Sequence, residues 1–229
     1  MKRKFLIVAA AFIGSQLSAQ LVPTGREQDT SLLDELVITA NKYPNKTSLT
    51  GKVVIIITKE QLERSGGKDL SQILTEQAGV YIGGANSNAG KDKSLYLRGA
   101  KVEHTLITID GVPVYDPSGI GSNFDIRNLS VDQIERIEIL KGSQSTLYGS
   151  NAIAGVINII SKKPTSSQLA GTGLLSYGSY NSFKGNANIN RKTKALEYSL
   201  SYEYFETEGI TEAIDPTGIG NFDKDGFNR

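Results

Sequence analysis

A compact α+β domain followed by the opening strands of an antiparallel transmembrane β-barrel is the architecture this sequence predicts. Three observations carry the prediction. Short helix and strand signals alternate from Val53 to Ser161, strict period-two alternation takes over after Pro164, and the chain begins with an export signal.

The export signal is Lys2, Arg3 and Lys4 ahead of the apolar run Phe5 to Ile13, with small or polar residues as far as Ala19. That run is too short to span a bilayer as a helix. Residues 1–19 are therefore a signal peptide with cleavage expected after Ala19, although Leu17 departs from the usual small residue three before the cut. An exported chain without a later apolar span can enter a membrane only as a barrel. Residues 20–33 are polar, contain Pro23 and Gly25, and lack periodicity, so they predict a flexible mature N-terminus.

Composition excludes more than it identifies. Of 229 residues, 25 are Lys or Arg and 24 are Asp or Glu, so a net charge of +1 offers no field for nucleic acid. With no cysteine and a single histidine, His104, thiolate sites, disulfides and paired-histidine zinc sites are ruled out, and no catalytic set stands out. The protein is not expected to be an enzyme. His104 precedes the apolar run LITI and reads as a strand-edge residue.

The first folded element is DELVITA, Asp34 to Ala40. Leu36, Val37, Ile38 and Thr39 favour an extended strand, yet polar sequence flanks them and no partner is adjacent, so the strand is expected to be open to pairing from outside. Next come a buried-type strand VVIIIT from Val53 and a helix whose start is marked by the capping-box pair Thr58 and Gln61. A second helix fits Leu70, Ile73, Leu74 and Gln77, with Gly79 as its left-handed stop. Strands follow at Val80 to Ile82, Leu95 to Leu97 and Leu106 to Ile109, the last turning at Asp110 and Gly111. Ser130 and Gln133 repeat the capping-box spacing, a helix-start signal, ahead of IERIEILKG. There Ile134, Ile137, Ile139 and Leu140 are the expected buried positions, and Glu135, Arg136, Glu138 and Lys141 the polar ones. VINIIS, Val156 to Ser161, closes the domain.

After Pro164 the segments are about ten residues long, the length of a tilted transmembrane strand. Phe183, Gly185, Ala187 and Ile189 alternate with Lys184, Asn186, Asn188 and Asn190. Leu196, Tyr198, Leu200, Tyr202 and Tyr204 alternate with Glu197, Ser199, Ser201 and Glu203. A soluble sandwich gives the same alternation. The export signal and the aromatic residues Tyr177, Tyr180, Phe183, Tyr202, Tyr204 and Phe205 gathered at strand ends favour the barrel, because amphipathic rings settle at the headgroup level.

Two loop motifs bear on ion chemistry. GGANSNAGKD, Gly83 to Asp92, fails as a phosphate loop: five residues separate Gly84 from Gly90, and Asp92 stands where a magnesium-binding hydroxyl belongs. The terminal acidic stretch carries Glu206, Glu208, Glu212 and Asp215. After it NFDKDG sets Asn221, Asp223, Asp225 and Gly226 at the spacing of the first half of a calcium loop, against the plainer reading of a solvated acidic loop.

In this order the pieces resemble the TonB-dependent outer-membrane receptors. IERIEILKGSQSTLYGSNAIAGVINIISKKP, Ile134 to Pro164, resembles the end of the family's plug domain. LYLRGA with Arg98 and Gly99, and LITIDGVPV, Leu106 to Val114, resemble its two central plug strands, and DELVITANK resembles its coupling box. Two positions depart: Lys141, Gly142 and Ser143 replace the usual arginine-glycine-proline, and Ala154 and Gly155 replace paired glycines. Lysine lacks the planar fork of arginine, which puts any bidentate plug-to-barrel contact at Lys141 in doubt.

The resemblance implies a TonB box at residues 34–40 (Asp34, Glu35, Leu36, Val37, Ile38, Thr39 and Ala40), a plug at 41–164, and an incomplete barrel at 165–229 of a type that totals 22 strands. About three barrel strands cannot close, so the sequence is expected to be the N-terminal part of a longer receptor. The implied partners are TonB with its inner-membrane energising complex, outer-membrane lipid and a scarce bulky nutrient, with the plug facing the periplasm. The wording, including YGSYNSF and the acidic loop, is most similar to the cobalamin receptors, which implies a corrinoid cargo and calcium at Asp223 and Asp225. No cofactor is otherwise required. Siderophore, haem and oligosaccharide receptors share the same plug and barrel, and a soluble periplasmic binding module that still offers the box is the alternative from another class. In the plug reading, Gly83 to Asp92 and Val114 to Asn123 are loops at the ligand-facing apex, with Asn86, Asn88, Lys91, Tyr115, Asp116, Ser118 and Asn123 as hydrogen-bonding candidates.

Overall fold

The computed structural model describes residues 36–46, 49–118, 121, 123–212 and 226–228. Its centre is a five-stranded sheet built from β3 (Val54–Ile57), β6 (Thr105–Ile109), β7 (Val112–Val114), β8 (Ile134–Lys141) and β9 (Gly155–Ser161) in the order β3-β8-β9-β6-β7. Only β6 and β9 are parallel, and the long crossover between them holds β7 and β8. β1 (Leu36–Val37) with β2 (Asn45–Lys46), and β4 (Val80–Gly83) with β5 (Ser94–Leu97), form separate two-stranded ribbons.

The sheet runs on isoleucine because both of its faces are covered. On one face Ile57, Ile107, Ile137, Ile139, Ile157 and Ile159 pack against Leu62 of α1 (Lys59–Arg64) and Leu70, Ile73 and Leu74 of α2 (Leu70–Thr75), every one of them buried. Each such side chain contributes about 1.5–3 kcal/mol by leaving water. On the other face Leu106, Leu140, Ala152 and Val156 enclose Val37 and Ala40. A polar row runs through the middle of this second face, where Ile56, Glu138 and Asn158 lie side by side and Asn158 adjoins Thr108. Thr108 Oγ1 donates to Asn158 Oδ1 at 2.8 Å, which also accepts from Gly111 N at 3.1 Å.

The predicted helix start at Thr58 carries a reciprocal capping box, and Asp69 supplies one that was not foreseen; Gly79 (φ 76°) is left-handed as expected but does not stop the second helix, which ends at Thr75 with Glu76 as its cap, short of Gln77. The second expected capping box does not form. Ser130 makes no capping bond, and Val131–Gln133 is a single 3-10 turn that leads into the strand β8. The isoleucine-rich sequence is claimed by β3 and β9 on its two sides, and the tertiary pairing overrides the local helix signal. Glu138 is correspondingly not an outward polar residue but fully buried. The two segments likened to central plug strands also part company: Leu106 to Val114 forms β6 and β7 of the main sheet, whereas Leu95 to Leu97 lies in the β4–β5 ribbon. Gly155 (φ 153°) has no substitute, because a Cβ there would overlap the Leu140 carbonyl oxygen.

A second sheet follows. β10 (Ala170–Gly178), β11 (Ser182–Lys192) and β12 (Glu197–Thr207) form an antiparallel meander, with β13 (Phe227–Asn228) paired to the end of β12. Tyr180 and Asn181, at φ 57° and 51°, make the tight connection between β10 and β11. Leu175, Leu200 and Tyr202 are 66–79% exposed on one face, while Lys184, Asn186, Ser201 and Glu203 are partly covered on the other. Phe205 is on the covered face, pairing with Lys184, and so does not join the outward aromatic set expected of it. No helix among the described residues is long and apolar enough to cross a membrane.

Candidate functional site

Two regions hold the sequence-predicted residues. The first is the DELVITA segment, of which Asp34 and Glu35 lie outside the described residues. The strand is not an orphan: Leu36 and Val37 pair with Lys46 and Asn45, supplied by a short turn that carries no strand signal of its own. Its C-terminal end is clamped onto the polar row. Ile38 N and Thr39 N donate to Glu138 Oε2 at 3.0 and 2.9 Å, and Thr39 Oγ1 donates to the same oxygen at 2.6 Å. Arg136 holds the other carboxylate oxygen at 3.0 Å, satisfying a charge that burial would otherwise make very costly. Tyr148 Oη donates to Thr39 O at 2.9 Å, and Lys52 Nζ donates to Ala40 O at 2.6 Å and to Gln144 Oε1 at 2.9 Å. Burial pushes the Tyr148 phenol above its usual pKa, with the Glu138 charge adding to the effect. Leu36 is half exposed, whereas Val37, Thr39 and Ala40 are sealed.

The second region is the loop from Gly83 to Asp92, braced from beneath by two cations. Lys93, 3% exposed, donates to Gly84 O and, at 3.2 Å, to Asn88 O. Its burial lowers the lysine pKa. Arg127 donates to Gly90 O and forms ion pairs with Asp125 at 2.7 Å and Asp92 at 2.8 Å, and its hydrogen bonds to Asp125 hold its pKa above the ordinary value. Gly84 (φ 80°) and Gly90 leave room for close approach: a Cβ at Gly90 would lie 2.8 Å from the Phe227 ring.

The same loop meets the segment after β12. Asn88 exchanges two hydrogen bonds with Ile210, Nδ2 donating to its carbonyl at 2.7 Å and Oδ1 accepting from its N–H at 2.8 Å. Glu212 accepts from Ser87 Oγ, from Asn88 N at 3.0 Å and from Lys91 Nζ at 2.6 Å, and these donors, Lys91 foremost, hold its carboxyl pKa at about 2. Lower down, Lys184 of β11 pairs with Asp132 at 2.6 Å and lies 3.7 Å from Glu203, which accepts from Ser130 Oγ. Between these seams is a cavity of about 390 Å3 lined in part by Asn86, Lys93, Arg127, Lys184, Phe205 and Ile210.

The structure sets Asn86 and Asn88 on the wall of this cavity and joins Lys91 to Asn88 through Glu212, while Asn123, whose Nδ2 donates to Lys93 O at 3.4 Å, lines a separate small cavity with Tyr115. Tyr115, Asp116 and Ser118 lie on the second loop and do not line the larger cavity. There Asp116 accepts from Ser118 N and Oγ, which lowers its pKa, and Tyr115 is 60% exposed. Asp223 and Asp225 lie outside the described residues, and among the described residues no acidic or histidine cluster could hold a metal. Lys141 donates to Ala78 O within the same domain. Sequence reasoning missed Ser87, Lys93, Arg127 and Glu138 as functional candidates. The Lys91-Asp92-Lys93 alternation is a visible hint for Lys93; nothing local marks Glu138.

Residues 46–156 match the family model described as TonB-dependent Receptor Plug Domain. Among solved structures, the siderophore receptor PirA from Acinetobacter baumannii is 30% identical over 68% of this chain and 25% of its own, with a TM-score of 0.54. The ferric enterobactin receptor PfeA from Pseudomonas aeruginosa is 28% identical over 76% of this chain and 27% of its own (TM-score 0.55). The ferripyoverdine receptor of Pseudomonas aeruginosa, bound to ferripyoverdine, shares the fold at 20% identity over 76% and 23% (TM-score 0.62). The chain thus spans about a quarter of the length of the receptors it matches.

Proposed function

We propose, taking residues 46–156 as a TonB-dependent receptor plug domain and β10 to β13 as the start of its barrel, that the protein binds a ferric siderophore at the outer membrane and imports it when TonB pulls on residues 34–40. The observation that carries this reading is the pairing of a docked, half-exposed strand with a separate loop braced by cations against the barrel wall. One element suits a partner strand and the other an external ligand.

Among the described residues β1 pairs only with β2, so its other edge can accept a strand of TonB through backbone bonds. Each such bond is worth about 0.5–1.5 kcal/mol net, which makes the grip reversible. Siderophore replaces corrinoid as the preferred cargo because the matched receptors named for a ligand are those of ferric enterobactin and ferripyoverdine. The similarity to cobalamin receptors finds no support among these relatives, and calcium at Asp223 and Asp225 stays a proposal resting on spacing alone. A soluble periplasmic module is the second reading, against which the exposed Leu175, Leu200 and Tyr202 face weighs heavily.

The test is Leu36→Pro, which removes a strand donor at an exposed position and fixes φ. Cells carrying it should keep surface binding of radio-iron ferripyoverdine, a ferric siderophore that bears a carboxylate, while uptake falls to the level of a strain lacking TonB. Uptake at the normal rate would show that DELVITA is only a linker.

A further inference from the structure

Glu212 sits in the loop cradle as a ligand would. The donors that hold it are a hydroxyl (Ser87), a backbone N–H (Asn88) and an ammonium (Lys91), all converging on one carboxylate from residues 121 to 125 positions away in sequence. Beneath them Lys93 donates to the Gly84 and Asn88 carbonyls and Arg127 to the Gly90 carbonyl, bracing the loop while the Asn88 N–H is given to Glu212. Two of the three donor residues, Asn88 and Lys91, are also among the positions expected to meet the nutrient.

We infer that the loop Gly83–Asp92 is a carboxylate-binding site occupied at rest by Glu212, and that the imported solute carries a carboxylate that displaces it. The inference rests on the reading of this loop as the ligand site and names the chemistry that site takes. Displacement has a structural consequence. The Asn88–Ile210 pair lies next to the cradle, so losing Glu212 removes the charge-assisted contact between the loop and the segment after β12 and keeps the two neutral hydrogen bonds of that pair. Ligand entry and release of that segment become one event, because the same three donors cannot serve both carboxylates.

The contacts within the plug give no comparable candidate. Glu138 is buried under the box and satisfied by Arg136. The cluster of Lys184, Asp132 and Glu203 joins wall to plug, with Lys184 shared between the two carboxylates.

Chemical rescue tests the inference without a known nutrient. In the receptor purified in detergent, Glu212→Ala should speed amide exchange of residues 86–92 roughly tenfold, since charge-assisted bonds are lost from a surface loop. Acetate at tens of millimolar should restore the slow exchange, and chloride at equal ionic strength should not. Adding Lys91→Gln to Glu212→Ala should abolish the rescue while leaving the fold intact. Unchanged exchange in Glu212→Ala would remove the latch, and fast exchange that acetate cannot slow would make Glu212 a strut with no anion site beneath it. None of these readouts involves TonB or uptake, so they stand apart from the fate of Leu36→Pro.

Discussion

The sheet β3-β8-β9-β6-β7 and the sheet β10 to β13 are both largely antiparallel, yet they treat isoleucine and leucine in opposite ways. In the first, Ile137, Ile139 and Ile157 are wholly buried; in the second, Leu175 is 79% and Leu200 66% exposed. Each sheet also has a polar row. That of the first, Glu138, Asn158 and Thr108, is closed partly by the DELVITA segment, and that of the second, Lys184 and Glu203, is closed by Ser130 and Asp132. Both faces of the first sheet are covered among the described residues. The second sheet is covered on one face and leaves Leu175, Leu200 and Tyr202 exposed on the other, the pattern of a strand set with one lipid face.

The sharpest test of that difference is a pair of truncations. Ile139→Ala should destabilise by about 2–5 kcal/mol, since a cavity is left between two covered layers. Leu200→Ala should cost less than about 1 kcal/mol in detergent, because the residue already faces solvent. Urea midpoints followed by plug amide protection would measure both. Equal costs would mean that the barrel face is packed against something in this protein and is not a lipid face.

The second largest effect belongs to the joint between the box and the plug sheet. Glu138→Ala removes the acceptor of Ile38 N, Thr39 N and Thr39 Oγ1 and leaves Arg136 without its partner. Orphaning buried donors costs about 1–3 kcal/mol, and residues 38–40 should lose their exchange protection while β10 to β12 keep theirs. Loss of protection in both sheets would show that the two polar rows are one cooperative unit.

Val37→Ala follows at about 1.5 kcal/mol for two buried methylene equivalents. An orphan strand held only by backbone bonds would tolerate this change. With Val37 at 0% exposure against Leu140 and Val156, it should loosen the box, seen as faster proteolysis near residue 36.

These four positions mark how far the sequence could be read. Most strands, the cap at Thr58, the left-handed turn at Gly79 and the barrel meander are set by local pattern and were legible. IERIEILKG was not: helix and strand both bury Ile134 and Ile137, and only the neighbours β3 and β9 decide between them. Glu138 was hidden for the same reason, its partners lying 99 and 100 residues away. In the loop, Asn88 and Lys91 were legible as polar turn residues. Arg127, 37 residues from Gly90, was not, because its role exists only once the chain has brought them together.

The smallest effect falls at the seam between the two regions, where Glu212 meets the loop. Lys91, Ser87 and the Asn88 N–H pull its carboxyl from 4.5 down to about 2. A folded-state pKa below the unfolded one means that the contact is fully stabilising above about 4.5 and is lost as pH falls from there toward 2. Exchange of residues 86–92, corrected for the intrinsic pH trend, should be flat from neutrality to about pH 5 and then rise. Asp116 is held low by Ser118 in the other loop and Glu60 by local bonds in α1, so a general acid loosening would accompany the local one. Glu212→Gln separates them: its loop should exchange faster at neutral pH and show no added rise below 4.5, while protection of β8 and β9 follows the unsubstituted protein. If both proteins share one acid profile in the loop, the seam is opened by the plug as a whole and not by this carboxylate.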